Sequence, residues 1–237
     1  MAEAELSVVL PVYNEGENIA ATLTGISAAL AGVENEILVV YDFDEDDTVP
    51  VVKRLQATMP TVRLHRNRVG RGVLNAIRAG FQEAGGPHIL VTMADGSDDP
   101  REILPMLEKA REGADVVSAS RYVRGGRQVG GPLVKRSLSR VAGLSLHWVG
   151  GVPTHDPTSN YKLYSRRLLD AVTIESVAGF ELALELTVKA HLLGMTIAEV
   201  PTTWRDRTAG ESRFQLGKWL PHYLHWYWKG IGGRLRR

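Results

Sequence analysis

Apolar, β-rich runs and amphipathic stretches alternate through the first hundred residues. The runs are Leu6–Val12, Glu36–Tyr41, Val62–His65 and Ile89–Met93. Runs of this kind, bounded by Gly, Pro and polar clusters, read as buried strands. Helical periodicity fills the gaps, from Asn14 to about Leu30 and over Val49–Met59, Gly72–Ala84 and Arg101–Glu112. Strands alternating with helices predict an α/β fold with a mostly parallel central sheet, flanked by helices and joined by right-handed crossovers. The carboxyl ends of parallel strands share one edge. Three of them carry polar clusters, Asn14/Glu15, Asp42/Asp44 and Asp95/Asp98, which therefore converge on one crevice. Open α/β sheets bind their ligands at such an edge.

The stretch His88–Pro100, HILVTMADGSDDP, is the most pointed of these ends. Asp95, Asp98 and Asp99 follow the strand directly. Oxygen ligands on a short loop suit Mg²⁺ or Mn²⁺, and such ions are usually shared with substrate phosphates. The same residues also fit a solvated acidic turn that caps the helix starting near Arg101. Both readings stand on this segment alone. Gly70-x-Gly72 lacks the third glycine and the closing acid of a dinucleotide-binding fingerprint.

From Val116 the pattern changes. A short strand leads to Ser120-Arg121-Tyr122, and a Gly-rich stretch, Arg124–Pro132, reads as mobile. Lys135–Gly150 reads as a helix, Thr154–Tyr164 as a polar segment, Phe180–Leu193 as a strong helix and Thr196–Val200 as a strand. Arg205–Phe214 is a charged loop.

Bulk properties exclude several classes. The net charge of +1 argues against nucleic acid as a partner. Cysteine is absent, which removes disulfides, thiolate metal sites and thiol nucleophiles, and fits the cytosol. The first residues lack the basic and apolar regions of a secretory signal. No apolar run reaches the roughly 18 residues that span a bilayer.

Eight segments, taken in order, resemble the family 2 glycosyltransferases of the GT-A fold, most closely the dolichyl-phosphate mannose synthase-like branch. They are VVLPVYNEGENI (8–19), EILVVYDFDEDDT (36–48), GRGVLNAIRAGF (70–81), TMADGSDDP (92–100), SRY (120–122), HDPTSNYKLY (155–164), GFELALE (179–185) and EVPTTWRDRTAGESRF (199–214). The resemblance implies a single GT-A catalytic domain over 1–215. Its nucleotide-sugar half would be 1–117 and its acceptor half 118–215, with 216–237 as a separate tail.

The resemblance also implies roles. Pro11, Tyr13, Glu15, Tyr41, Asp42, Asp44 and Arg71 would surround the nucleotide. Asp95 would bridge ribose and metal, with Asp98 as the second candidate ligand. Lys162, Arg207 and Arg213 would close over the donor pyrophosphate. Arg121, Lys135 and Ser139 would hold an acceptor phosphate and, with Asp95, form the catalytic set. Two positions depart from the family pattern. Tyr41-Asp42 stands where the family usually has Asp-Asp, and Met93-Ala94-Asp95 stands where it has Asp-x-Asp. Met is no ligand for a hard cation. The metal must then rely on Asp95 with water and phosphate, or recruit Asp98 or Asp99. Asp44, Asp46 and Asp47 are either compensating ligands or a solvated turn and helix start.

The implied reaction is an inverting transfer of a hexose, mannose or glucose, from a nucleotide-diphosphate sugar to a polyprenyl phosphate. A divalent ion and Arg/Lys donors would neutralise the leaving diphosphate. A phosphate acceptor is already an anionic nucleophile. A hydroxyl acceptor, saccharide or small metabolite, would instead need a general base, for which Asp156 and Glu185 are the candidates. A non-catalytic nucleotide-sugar-binding protein is the third reading, motivated by Met93 and Tyr41. Glu185 lies in an apolar helix and otherwise reads as the anchor of a structural network. The tail, Lys218–Arg237, holds Trp219, Tyr223, Trp226, Tyr227 and Trp228, with five basic residues and no acid. Trp and Tyr favour the membrane interface, and cations favour anionic lipid. The tail thus reads either as an interfacial helix, placing the protein peripherally on the cytoplasmic face of a membrane, or as aromatics packed on the domain.

Overall fold

Every residue of the first strand, β1 (Leu6–Pro11), is buried, because the strand has a covered face on each side. A computed structural model describes residues 4–206 and 216–234, apart from the side chains of residues 134, 135, 216–218 and 234. The strands β2 (Asn35–Tyr41), β3 (Val62–Arg66) and β4 (His88–Val91) complete a parallel unit with β1. β5 (Val116–Ser120), β7 (Lys162–Ser165) and β8 (Ile197–Pro201) extend it to seven strands in the order β3-β2-β1-β4-β7-β5-β8. Only β7 runs against its neighbours, pairing with β4 and β5. Residues from both sides of position 117 therefore share one sheet.

Alternate residues of β1 feed two layers. Val8 and Leu10 pack with Ile19, Leu23 and Ile26 of α1 (Ile19–Ala29), Val52 of α2 (Thr48–Leu55) and Met106 of α4 (Ile103–Arg111). Val9 faces the other way, to Leu74, Ile77 and Phe81 of α3 (Val73–Glu83), Leu168 of α6 (Arg166–Ala171) and Leu186 of α7 (Leu182–Leu192). The result is helix, sheet, helix, as the alternating pattern requires.

Three elements correct the sequence reading. The polar segment Thr154–Tyr164 ends in β7, which is central to the sheet despite carrying a lysine. The Gly-rich stretch read as mobile contains β6 (Arg127–Val129), which pairs in parallel with β9 (Thr203–Arg205). The first helix starts at Ile19 instead of Asn14, because Asn14 sits at φ +53, outside the helical region.

The tail forms α8 (Leu216–Arg234), which lies against α5 (Leu133–Trp148) and α7. Trp226 is buried with Leu146, Val152, Leu184 and Val188, and the Tyr227 hydroxyl donates to Ser145 Oγ at 2.9 Å. Other tail side chains stay outside: Leu220, Leu224 and Trp228 are exposed. No helix among the described residues is long and apolar enough to cross a membrane.

Two glycines in helices separate packing from propensity. A Cβ on Gly80 of α3 would lie 2.3 Å from Val9 Cγ1, whereas one on Gly232 of α8 would meet nothing within 4 Å. Gly80→Ala should lower unfolding stability by about 1–3 kcal/mol, the usual cost of overpacking. Gly232→Ala should raise it by up to about 1 kcal/mol, the helix preference of Ala over Gly. Urea unfolding of both variants gives the two signs.

Candidate active site

The turns after β1 and β2 are tied together by two carboxylates, Asp46 buried and Asp47 exposed. Asp46 is fully buried and accepts from the Asn14 N–H at 3.1 Å and the Thr48 N–H at 2.9 Å. Asp47 accepts from the Gly16 N–H at 2.9 Å, and the Glu15 N–H donates to Thr48 Oγ1 at 2.9 Å. Asp46 and Asp47 thus build the turn from Pro11 to Asn18, and their carboxylates are committed to it. The Glu15 carboxylate accepts from Asn18 Nδ2 at 2.8 Å.

Asp42, at the end of β2, accepts from Asn67 Nδ2 and from the Gly72 N–H, both at 2.7 Å. It pins the loop between β3 and α3 beside the crevice. Tyr41 packs against the core on the α1 side. Asp44 pairs with Arg66 at 2.8 Å on the surface. Tyr13 is 43% exposed and meets Phe43 edge-on, with ring centroids 5.3 Å apart. The Arg71 guanidinium lies 5.9 Å from the centre of the same ring. Tyr13 and Arg71 therefore come together around Phe43, which the sequence reading did not single out. An aromatic between two ligand-side turns was the available signal.

The loop after β4 is equally specific. Asp98 Oδ2 accepts from Thr92 Oγ1 at 2.9 Å and from the Met93 N–H at 3.1 Å, which ends the strand at Val91. Asp95 accepts from the Ser97 N–H at 3.1 Å. Both carboxylates line a cleft of ≈ 350 Å³, along with Asn18, Thr22, Tyr161, Arg205 and Asp206. Burial, and then the charge of Asp95, push the Asp98 carboxyl up to about 7. Asp99 does not join them. It accepts from the Arg101 N–H and guanidinium and opens the turn Pro100–Glu102, so the capping reading holds for this residue.

At the end of β5 lies a guanidinium held by a buried carboxylate. Arg121 donates twice to Asp156, at 2.7 and 2.8 Å, and once to Ser139 Oγ at 3.2 Å. Ser139 Oγ lies 2.7 Å from Thr158 Oγ1, and the guanidinium sits 5.0 Å from the centre of the Tyr122 ring. Asp156 is fully buried. Burial alone would raise its pKa, but the charge and hydrogen bonds of Arg121 hold it below the ordinary carboxylate value. A group held in that state is a poor proton acceptor, so Asp156 is corrected from candidate base to anchor. For Glu185 the anchor reading holds, on its hydrogen bonds. It accepts from the Glu175 and Ser176 N–H groups at 2.6 and 2.8 Å and pairs with Lys189 at 2.7 Å. The Arg121 charge also acts on Asp98, slightly opposing the upward push of burial and Asp95.

Lys162 is a further correction. Its ammonium points into the protein and donates to the carbonyls of Asp156, at 2.9 Å, and Ser159, at 2.5 Å. It is fully buried and reaches no crevice, so it cannot close over a pyrophosphate from this position. Arg207 and Arg213 lie outside the described residues, as does the side chain of Lys135. The Arg121–Asp156–Ser139–Thr158 cluster was half visible in sequence: Arg121 and Ser139 were named, while Thr158 in HDPTSN was not.

Burial pushes the Lys162 ammonium down to about 7, against an ordinary value of 10.5. The sign follows from proton linkage. Between about pH 7 and 10.5 the unfolded chain holds a proton at this site that the folded chain has released, so stability gains with rising pH. The stability of the wild type should therefore rise, relative to Lys162→Met, from pH 7 to 9. Parallel curves from urea unfolding at each pH would refute a depressed ammonium.

Comparison with known proteins bears on this arrangement. Residues 7–173 match the family described as glycosyl transferase family 2. The dolichol-phosphate mannosyltransferase of Pyrococcus furiosus is 31% identical over 95% of this chain, and the chain spans 65% of that longer protein. The undecaprenyl-phosphate mannosyltransferase of Micrococcus luteus is 30% identical over 96% of this chain and 97% of its own. The polyprenol monophosphomannose synthase of Mycolicibacterium smegmatis is 32% identical over 97% of this chain and 88% of its own. In fold, the chain is similar to glucosyl-3-phosphoglycerate synthase of Mycobacterium tuberculosis, crystallised with Mn²⁺, UDP and glucosyl-3-phosphoglycerate. The TM-score is 0.67 at 22% identity, over 97% of this chain and 80% of that one. The seven-stranded sheet is thus the GT-A arrangement, and the chain belongs to glycosyl transferase family 2.

Proposed function

We propose that this protein transfers a hexose from a nucleotide-diphosphate sugar to a polyprenyl phosphate, with inversion, at a membrane surface. One observation carries the reading: Asp95 and Asp98 line one cleft, and the Arg121 guanidinium at the end of β5 donates to Ser139 Oγ, which in turn contacts Thr158 Oγ1. The relatives named above as mannosyltransferases and a mannose synthase acting on lipid phosphates support it.

The donor would lie along the strand ends. Tyr13, Phe43 and Arg71 offer an aromatic and cationic wall for the base and ribose. Asp95 and Asp98 repel one another in the cleft, a donor set that a hard divalent cation relieves. Among the described residues no set of three or more acids or histidines is arranged to hold a metal ion. Asp95 and Asp98 would supply two carboxylate oxygens for Mg²⁺ or Mn²⁺, and Met93 would contribute nothing to it. Such an ion neutralises charge on the departing diphosphate. The relative of known structure crystallised with Mn²⁺ and UDP supports a divalent ion in a cleft of this fold.

Arg121 and the hydroxyls of Ser139 and Thr158 would orient the acceptor phosphate, whose oxygen needs no base. Asp156 keeps the guanidinium in place from behind and offsets its charge. Lys135, on the helix that carries Ser139, and Arg207 and Arg213, beyond β9, complete the proposed cation set. A hydroxyl acceptor would need a proton acceptor, and both carboxylates first considered for that task are committed elsewhere.

Asp95→Ala should lower transfer from a nucleotide sugar to polyprenyl phosphate, measured as radiolabel extractable into organic solvent, by roughly a hundredfold or more at saturating Mn²⁺. Product that stays in the aqueous phase would instead identify a soluble acceptor. Equal turnover by the variant would remove Asp95 from the reaction.

The surface around this site supports membrane docking. Leu220, Leu224 and Trp228 are four residues apart and share one face of α8. Leu138, Val141 and Trp148 are exposed on α5 beside it, Trp148 by 71%. Because Trp226 belongs to the interior, point substitutions test this face better than deletion of the tail. Leu224→Ser with Trp228→Ser should weaken flotation on anionic vesicles by at least roughly tenfold, given the apolar area removed. Binding should also fall with added salt. A wild-type chain that stays with the soluble fraction at low salt would rule the face out.

A further inference from the structure

A second cavity, of ≈ 310 Å³, opens between the turn 175–181 and the outer side of α8, on a wall not used by the proposed reaction. Glu175, Ser176 and Glu181 line it from the turn, with His222, His225 and Trp226 opposite. Glu181 is fully buried, and its Oε1 accepts from the Val177 and Ala178 N–H groups at 3.1 and 2.7 Å. Its Oε2 is buried without a hydrogen-bond partner, and so is the hydroxyl oxygen of Ser176. Two orphaned acceptors on one cavity wall are costly unless something fills the cavity and donates to them.

Neighbouring charges are already matched. Glu175 pairs with Lys189 at 2.7 Å and Lys229 at 3.3 Å, and Glu185 pairs with Lys189. Both lysines lie over the Trp226 ring, at 4.9 and 4.2 Å. Among the described residues Glu181 takes part in no ion pair. The missing partner is therefore a hydrogen-bond donor carrying positive charge. An anion is excluded by the carboxylate wall. A bare metal ion is disfavoured, since no set of three acids or histidines converges among the described residues.

We propose that this cavity binds a primary ammonium group, donating to Glu181 Oε2 and Ser176 Oγ. An ammonium carries three N–H donors, one for each orphan and one to spare. Two sources share that chemistry: a free small amine, and the head group of an aminophospholipid. Pro221 and His225, at the cavity, are each one residue from the exposed Leu220 and Leu224, so the mouth opens beside the apolar stripe of α8. The assignment does not rest on the sugar-transfer reading, and its test requires no turnover.

The full chain would be melted in ethanolamine hydrochloride against NaCl of equal ionic strength, with affinity measured by calorimetric titration. At about five times its Kd, ethanolamine should raise Tm by roughly 2–4 °C. Ethylene glycol, of similar shape and uncharged, should not. Glu181→Gln keeps a carbonyl for the two N–H groups but presents an amide donor to the cavity. It should lose at least roughly tenfold in affinity, as expected for a charge-assisted hydrogen bond. Ser176→Ala, which disturbs the fold least, should weaken binding several-fold and serves if Glu181→Gln misfolds. Flotation on phosphatidylethanolamine/phosphatidylglycerol vesicles, compared with phosphatidylcholine/phosphatidylglycerol, separates the sources. A preference for the first mixture that Glu181→Gln abolishes assigns the lipid head group. Equal flotation with a positive titration assigns a soluble amine. No shift with ethanolamine and no vesicle preference overturns the proposal. So does an equal response in the variants, or a shift by ethylene glycol as large as that by ethanolamine.

Discussion

The buried pair of Arg121 and Asp156 organises the half of the molecule that faces the donor cleft. Asp156 has no exposed surface, and it accepts the guanidinium through both oxygens as well as the Arg121 N–H at 3.1 Å. Its own carbonyl accepts from the Ser118 hydroxyl, at 3.0 Å, and from Lys162. One residue thus ties together β5, β7 and the loop between α5 and β7. Removing one member of such a pair commonly costs about 3–5 kcal/mol, because the other charge is left buried and unmatched. The guanidinium is consequently held in one orientation by its own carboxylate and by Ser139. Lys162 holds the same segment from inside, where burial disfavours its charge although Asp156 favours it.

The acidic residues that crowd the strand ends have separate fates, and their hydrogen bonds decide which. Asp46, Asp47 and Asp99 are consumed by backbone N–H groups or a guanidinium and shape turns. Asp42 holds a neighbouring loop, and Asp44 pairs on the surface. Asp95 and Asp98 remain on the cleft wall. Asp98 reaches back to the Met93 N–H, bringing a second carboxylate to the strand end from five residues downstream.

Much of this was legible in the sequence. The parallel unit β1–β4 and its crevice followed from periodicity, since strands covered on both faces are apolar throughout and their ends must be polar. The motif order named the family and located Asp95, Arg121 and Ser139. What sequence did not reveal has one physical cause: pairing across long separations leaves no local trace. β7 was missed because its lysine is neutralised by carbonyls of its own segment, so a strand in the middle of the sheet looked like a polar loop. Asp156 and Glu185 looked like bases because their partners, Arg121 and the N–H groups of residues 175 and 176, are not adjacent in sequence. Phe43 hid inside an acidic run.

The tail shows how a composition argument can be half right. Its aromatics read as either membrane-facing or packed, and α8 buries one of them while leaving another exposed. Trp226 fills the space between α5 and α7, while Leu220, Leu224 and Trp228 point away from it. Packing sets the orientation of the exposed face, so the two roles depend on each other. α8 also closes one side of the Glu181 cavity and carries Tyr223 close enough to feel the charges of both Glu181 and Arg121. Burial, and then Glu181, hold that phenol protonated. α8 thus packs on the core through Trp226 and walls a cavity with its neighbouring turn.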